Sequence, residues 1–105
     1  MLERDYQAKL IKRLESLFPG CFILKNDSGY LQGVPDLIIL YGDRWAMLEA
    51  KKEEDSKHQP NQDYYVETLN EMSFASFINP SNEREVLSAL EQAFATRRNA
   101  RFSRS

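Results

Sequence analysis

An α/β domain in the order α-β-β-β-α-β-α is predicted by three observations on this chain. Apolar residues recur at spacings of three and four in three separate stretches; short runs rich in β-branched and aromatic residues lie between them; and Gly42-Asp43 joins two such runs as a two-residue hairpin turn does. The 105 residues make one domain, near the small end of what buries a self-sufficient core, so dimerisation is a natural way to extend it.

The first helix is read over Glu3 to Phe18. Leu10, Leu14 and Leu17 form its stripe, Ile11 and Phe18 widen it, and stepping back along it reaches Gln7 and then Glu3, set toward the core side, though an exposed first-turn Glu favoured by the helix dipole fits the geometry as well. Pro19-Gly20 stops the helix and Cys21 to Leu24 begins the first strand. The single Cys21 has no partner for a disulfide or a zinc site and reads as a small buried apolar residue. Residues 25–33 form a polar loop ending at Gly33, whose place beside the next strand points to backbone geometry that suits glycine. Strands follow over Val34 to Tyr41 and Trp45 to Lys51, then a solvated charge run to Lys57. The second helix starts at Pro60, with Tyr65, Val66, Leu69 and Met72 as its packed face and Gln62 one turn earlier, able to turn inward. Ser73 to Asn79 is the last strand. Pro80-Ser81-Asn82 leads into a third helix with Glu83 and Glu85 in its first turn and Val86, Leu87, Leu90 and Phe94 on its apolar face. Residues 1–95 are read as the domain and 96–105 as a basic, flexible tail.

A two-residue Gly42-Asp43 turn pairs Tyr41 with Arg44 and, further up the ladder, sets Asp36 opposite Glu49. Like charges in that relation destabilise a sheet, and Asp36 also interrupts an apolar run (Leu37, Ile38, Ile39, Leu40) of the kind that is buried. Something cationic is therefore expected there. Lys51, two residues beyond Glu49, lies on the same face, and a divalent ion between the carboxylates would compensate better still. The competing reading is an ordinary charge cluster at a solvated sheet edge. His58, the only histidine, sits in a polar loop with nothing to place it near Asp36.

Composition narrows the function classes. No apolar run reaches transmembrane length, and Glu3, Arg4 and Asp5 occupy the place of a signal-peptide apolar region, so no membrane association and a cytoplasmic location are expected, the host cytoplasm for a viral protein. Residues 1–95 hold all 16 acidic residues against 10 basic ones, a net of −6, while Arg97, Arg98, Arg101 and Arg104 make the end basic. Such a body suits a metal-dependent enzyme that holds nucleic acid briefly better than a tight nonspecific binder. Lys25, Asn26 and Ser28 are candidate phosphate donors, Tyr30 a candidate stacking surface and Lys52 a further candidate contact; for each loop residue taken singly, plain turn chemistry is the simpler account.

Pro35-Asp36, a dozen residues, then Glu49-Ala50-Lys51 resembles the PD-(D/E)xK nucleases, and Gly33-Val34-Pro35-Asp36-Leu37-Ile38 with Glu49-Ala50-Lys51 looks most like their small stand-alone VRR-NUC branch. The resemblance covers residues 3–95. It implies a restriction-endonuclease-like core with a mixed central sheet flanked by helices, and a DNA endonuclease dependent on Mg²⁺ or Mn²⁺. Asp36, Glu49, Lys51 and Gln62 are the catalytic residues it implies. Glu3, Asp36, Glu49 and the Ala50 carbonyl are the metal ligands. It further implies DNA as partner, a homodimer, and selectivity for branched DNA as in Holliday-junction resolvases. Zinc is not expected, because no Cys/His set exists. The alternatives are a noncatalytic nucleic-acid-binding or protein-interaction module on the same fold, and a monomeric nicking or end-processing nuclease.

Overall fold

The computed structural model describes residues 2–27 and 30–96, so Ser28 and the arginine-rich end lie outside the described residues. The elements are α1 (Glu3–Leu17), β1 (Phe22–Lys25), β2 (Leu37–Tyr41), β3 (Arg44–Ala50), α2 (Gln62–Met72), β4 (Ala75–Ile78) and α3 (Glu83–Ala95), in the expected order. They build a mixed four-stranded sheet, β1-β2-β3-β4, antiparallel except for the β3–β4 pair that α2 connects. No helix among the described residues is long and apolar enough to cross a membrane.

The two faces of the sheet are covered unequally. Tyr6, Leu10, Leu14 and Phe18 of the α1 region and Leu87, Leu90 and Phe94 of α3 close one face over Leu37, Ile39, Ala46, Leu48, Ala50 and Ile78. These alternate sheet positions show the two-residue period of a strand. Phe18, Tyr41 and Phe94 meet as a ring trio with centroids 5.0–5.6 Å apart. Cys21, just before β1, packs at the border of this core, where burial pushes its thiol upward in pKa. On the other face α2 packs against β3 and β4.

Three expectations need correction. The β2–β3 register is as expected from Tyr41–Arg44, but its last pair is Leu37–Leu48, so Asp36 and Glu49 are not cross-strand partners. Pro35 has no N–H to extend a ladder, Asp36 turns its main-chain carbonyl to the Asn26 N–H at 2.8 Å on the β1 side, and Glu49 pairs with Phe77 of β4. Met72 is solvent-exposed rather than packed, because α2 ends there and only Gln62 of that helix is fully buried. That helix also begins at Gln62, after Asn61 in the left-handed conformation (φ 72°), and not at Pro60.

Gly33 is where the Asp36 lead-in meets the turn before α2. Its φ is 100°, and a Cβ there would stand 2.8 Å from both the Asn61 Cβ and the Pro60 carbonyl. Gly20 has a similar φ of 90° with nothing within 4 Å, so the two glycines separate backbone strain from close approach. Gly20→Ala is expected to cost about 1–2 kcal/mol from strain alone, and Gly33→Ala at least about 1 kcal/mol more. Urea-denaturation midpoints measure the difference; equal costs would mean that the two loops separate freely.

Candidate active site

Four segments converge at the end of the sheet where the β2–β3 ladder stops. Met47 and Lys51 donate their N–H groups to the carbonyls of Phe74, just before β4, and Ile78, at its end, at 2.9 and 2.8 Å. The main chain of the intervening Ala50 therefore faces the β2 side, where its N–H donates to Asp36 Oδ1 at 3.1 Å and its carbonyl shares that direction. Side chains alternate the other way. Leu48 and Ala50 enter the core, whereas Glu49 and Lys51 turn to the α2 face, each 5% exposed. Asp36 Oδ2 is held from α1, accepting a hydrogen bond of 2.9 Å from Gln7 Nε2.

Gln62, the first residue of α2, does turn inward. Its Oε1 accepts the Gln59 N–H at 2.8 Å, which orients the amide so that Nε2 donates to Glu49 Oε2 at 2.9 Å. Lys51 Nζ lies 3.8 Å from the same Oε2 and donates to the Lys57 carbonyl at 3.1 Å. Both side-chain partners of Glu49 thus use one oxygen, and the Asp36 N–H also donates to its carboxylate. Asp36 and Glu49 border a cleft of about 220 Å³, which Asn26, Gln32, Gly33, Val34, Gln59 and Gln62 complete.

Glu49 has one buried ammonium beside it and a second carboxylate close by, and the acidities record the imbalance. Burial first, then the charge of Asp36, pushes Glu49 up to about 7, against the opposing pull of Lys51. Burial also raises Asp36, opposed by the hydrogen bonds from Ala50 and Gln7. Hard oxygen donors with a negative excess would suit a divalent cation such as Mg²⁺ or Mn²⁺. Asp36, Glu49 and the Ala50 carbonyl are the groups placed to hold it. Glu3, half-buried at the start of α1, raises both carboxylates through space, yet among the described residues no three His, Cys, Asp or Glu side chains converge as a metal-binding group. Glu3 acts here as a longer-range charge.

The remaining candidates divide. Asn26 lines the cleft and braces the lead-in through its side chain, which donates to the Pro35 carbonyl at 3.3 Å. Lys25, Tyr30 and Lys52 are solvent-exposed and do not line the cleft. His58 contacts Asp63 at 2.8 Å and stacks on Phe77 with centroids 4.0 Å apart. Sequence reasoning set Gln7 on the inward stripe without giving it a role. It gave no hint of the Lys57 carbonyl, since a main-chain acceptor carries no residue signature.

The raised pKa of Glu49 has a consequence for stability whose sign can be tested. The folded chain keeps a proton that the unfolded chain has released, so this contribution to stability is complete below about pH 4.5 and is lost as pH rises through about 7. In metal-free buffer Glu49→Gln is expected to melt progressively higher than the unaltered chain across that window, with a constant gap above it. A gap independent of pH would contradict the assignment.

No family model matches the chain, and neither a search of curated proteins nor one of solved structures finds a match.

Proposed function

We propose that this protein is a Mg²⁺- or Mn²⁺-dependent deoxyribonuclease that hydrolyses phosphodiester bonds, with a preference for branched DNA. The observation that carries this reading is half-buried Asp36 beside buried Glu49, with the Lys51 ammonium 3.8 Å from Glu49, opening on a cleft lined mainly by amides and carboxylates. Support also comes from the Pro-Asp and Glu-Ala-Lys pattern falling on β2's lead-in and the end of β3, with α1 before them and α2 after, as the resemblance to restriction-endonuclease-like folds implies. The preference for branched DNA is taken from that resemblance alone.

A divalent ion supplies charge neutralisation at phosphoryl oxygens and acidifies water. The chain's own residues do the rest. Asp36 is fixed from two sides by Ala50 and Gln7, so its orientation does not depend on ligand. Gln62 holds Glu49 and lies on the cleft wall, where its amide also orients water. Lys51 donates to the Lys57 carbonyl and faces Glu49, contacts that fix its side chain at the site, where it stabilises negative charge developing on the phosphate. The cleft volume equals that of about seven waters at ~30 Å³ each, room for one phosphodiester with part of its hydration.

The test is cleavage of labelled single-stranded, duplex, nicked, flapped and four-way-junction DNA with Mg²⁺, Mn²⁺ or EDTA. Metal-dependent cutting is expected, with Asp36→Asn and Lys51→Ala each lowering the rate at least about a hundredfold. Binding without cutting, unaffected by EDTA, would overturn the reading in favour of a noncatalytic nucleic-acid-binding module.

A further inference from the structure

Two side chains of the site, Lys51 and Gln62, are held by the two peptide groups that flank one residue, His58. The Lys57–His58 peptide turns its carbonyl to Lys51 Nζ at 3.1 Å, and the His58–Gln59 peptide turns its N–H to Gln62 Oε1 at 2.8 Å. Gln62 passes the constraint on, donating from Nε2 to Glu49 Oε2 at 2.9 Å. Peptide groups are planar, so φ and ψ of His58 alone relate the directions of that carbonyl and that N–H. The preceding segment offers little to fix those angles. From Lys52 to Lys57 every residue is charged or polar, and the Ser56 N–H to the Glu53 carbonyl at 3.2 Å and the Glu53 N–H to Ser56 Oγ at 3.1 Å close within the segment itself. The imidazole reaches outside it. Its ring lies 4.0 Å from the Phe77 ring, centroid to centroid, with the planes 16° apart, and Nδ1 donates to Asp63 Oδ1 at 2.8 Å. Phe77 is the β4 partner of Glu49 in the parallel ladder, and Asp63 follows Gln62 in the first turn of α2. The ring therefore ties the segment to the sheet at the level of Glu49 and to the helix at the level of Gln62.

We propose that His58 is a positioning residue of the cleft: its ring, seated on Phe77 and Asp63, sets the two peptide groups that hold Lys51 and Gln62. The two tethers are unequal. The Asp63 side chain is 77% exposed, so water competes for its bond, whereas Phe77 is half-buried and the stack on it carries most of the hold. Two residues further on, Pro60 and Asn61 close against Gly33. The turn is thus clamped at Phe77 on one side and at Gly33 on the other. Loss of the ring frees the peptides on either side of His58 while the second clamp stays shut, so the disturbance is local to Lys51 and Gln62 and the sheet beneath keeps its pairing. His58 acts through those two side chains and not on the reacting groups. Its effect on rate rests on the nuclease reading; its positioning of Gln62 does not.

Exchange of the Gln62 side-chain amide protons with water, followed by NMR of the full chain in metal-free buffer, tests this, with the Met47 main-chain amide, bonded to the Phe74 carbonyl, as the reference for the sheet. His58→Ala is expected to speed Gln62 exchange at least about fivefold, the shift in a local opening equilibrium that one aromatic pair is worth, and to leave Met47 unchanged. His58→Phe keeps the stack without the bond to Asp63 and is expected to restore most of the protection. Lys57→Ala, which leaves the main-chain carbonyl in place, is expected to change nothing. In the cleavage assay His58→Ala is expected to lower kcat at least about fivefold at unchanged KM, with His58→Phe again restoring it. Gln62 exchange indifferent to His58→Ala overturns the proposal. So does equal acceleration at Met47, the mark of a general loss of stability, and so does failure of His58→Phe to restore protection. Should the unaltered chain cut no DNA, the function proposed above fails and the exchange measurement still decides the role of His58.

Discussion

Where the β2–β3 ladder runs out, the Asp36 carboxylate continues it. One oxygen accepts the Ala50 N–H and the other the Gln7 amide, so a side chain replaces the backbone pairing that Pro35 cannot provide. That substitution joins the first helix, the lead-in to β2 and the end of β3 at one point. It also leaves Asp36 half-buried beside Glu49, the relation from which the electrostatics of the site follow. Remove the carboxylate and the Ala50 N–H and the Gln7 amide lose their acceptor together.

A second constraint comes from the turn before α2. Gly33 packs directly on Pro60 and Asn61, and immediately beyond them Gln62 reaches Glu49 while the Lys57 carbonyl holds Lys51. The charged groups of β3 are thus supported by a loop instead of by apolar packing. α2 buries little beyond Gln62 itself. The carboxylates destabilise the fold in their ionised form, yet a divalent cation needs that form, so stability without metal and readiness to bind metal are opposed here.

The hairpin was readable because a two-residue turn fixes register, and with it the shared face of Glu49 and Lys51. The order of elements was readable because helix and strand periods differ. The spacing of Gln62 to Tyr65 and Val66 allowed an inward turn but fitted a surface position equally well, and its partner was not readable, since Glu49 lies on another element. The departure of Asp36 from the ladder escaped for the same reason. A local pattern extends a strand through Val34 and Pro35, whereas the competing partners, Asn26 and Gln7, come from elsewhere in the chain. Met72 continues the apolar spacing of α2, but nothing local marks that the sheet ends beneath it. The open face of β1 and β2 is invisible to pattern alone, because Phe22 and Leu24 look like core residues until the position of α2 is known.

The central claim is that Asp36 and Glu49 form a carboxylate pair short of positive charge. Calorimetric titration of the metal-free protein with Mn²⁺ near pH 6.5, repeated in two buffers of different ionisation enthalpy, tests it most directly. Saturable binding with net proton release, abolished by Asp36→Asn, is the result expected. Absence of binding, or binding that Asp36→Asn leaves unchanged, would contradict it.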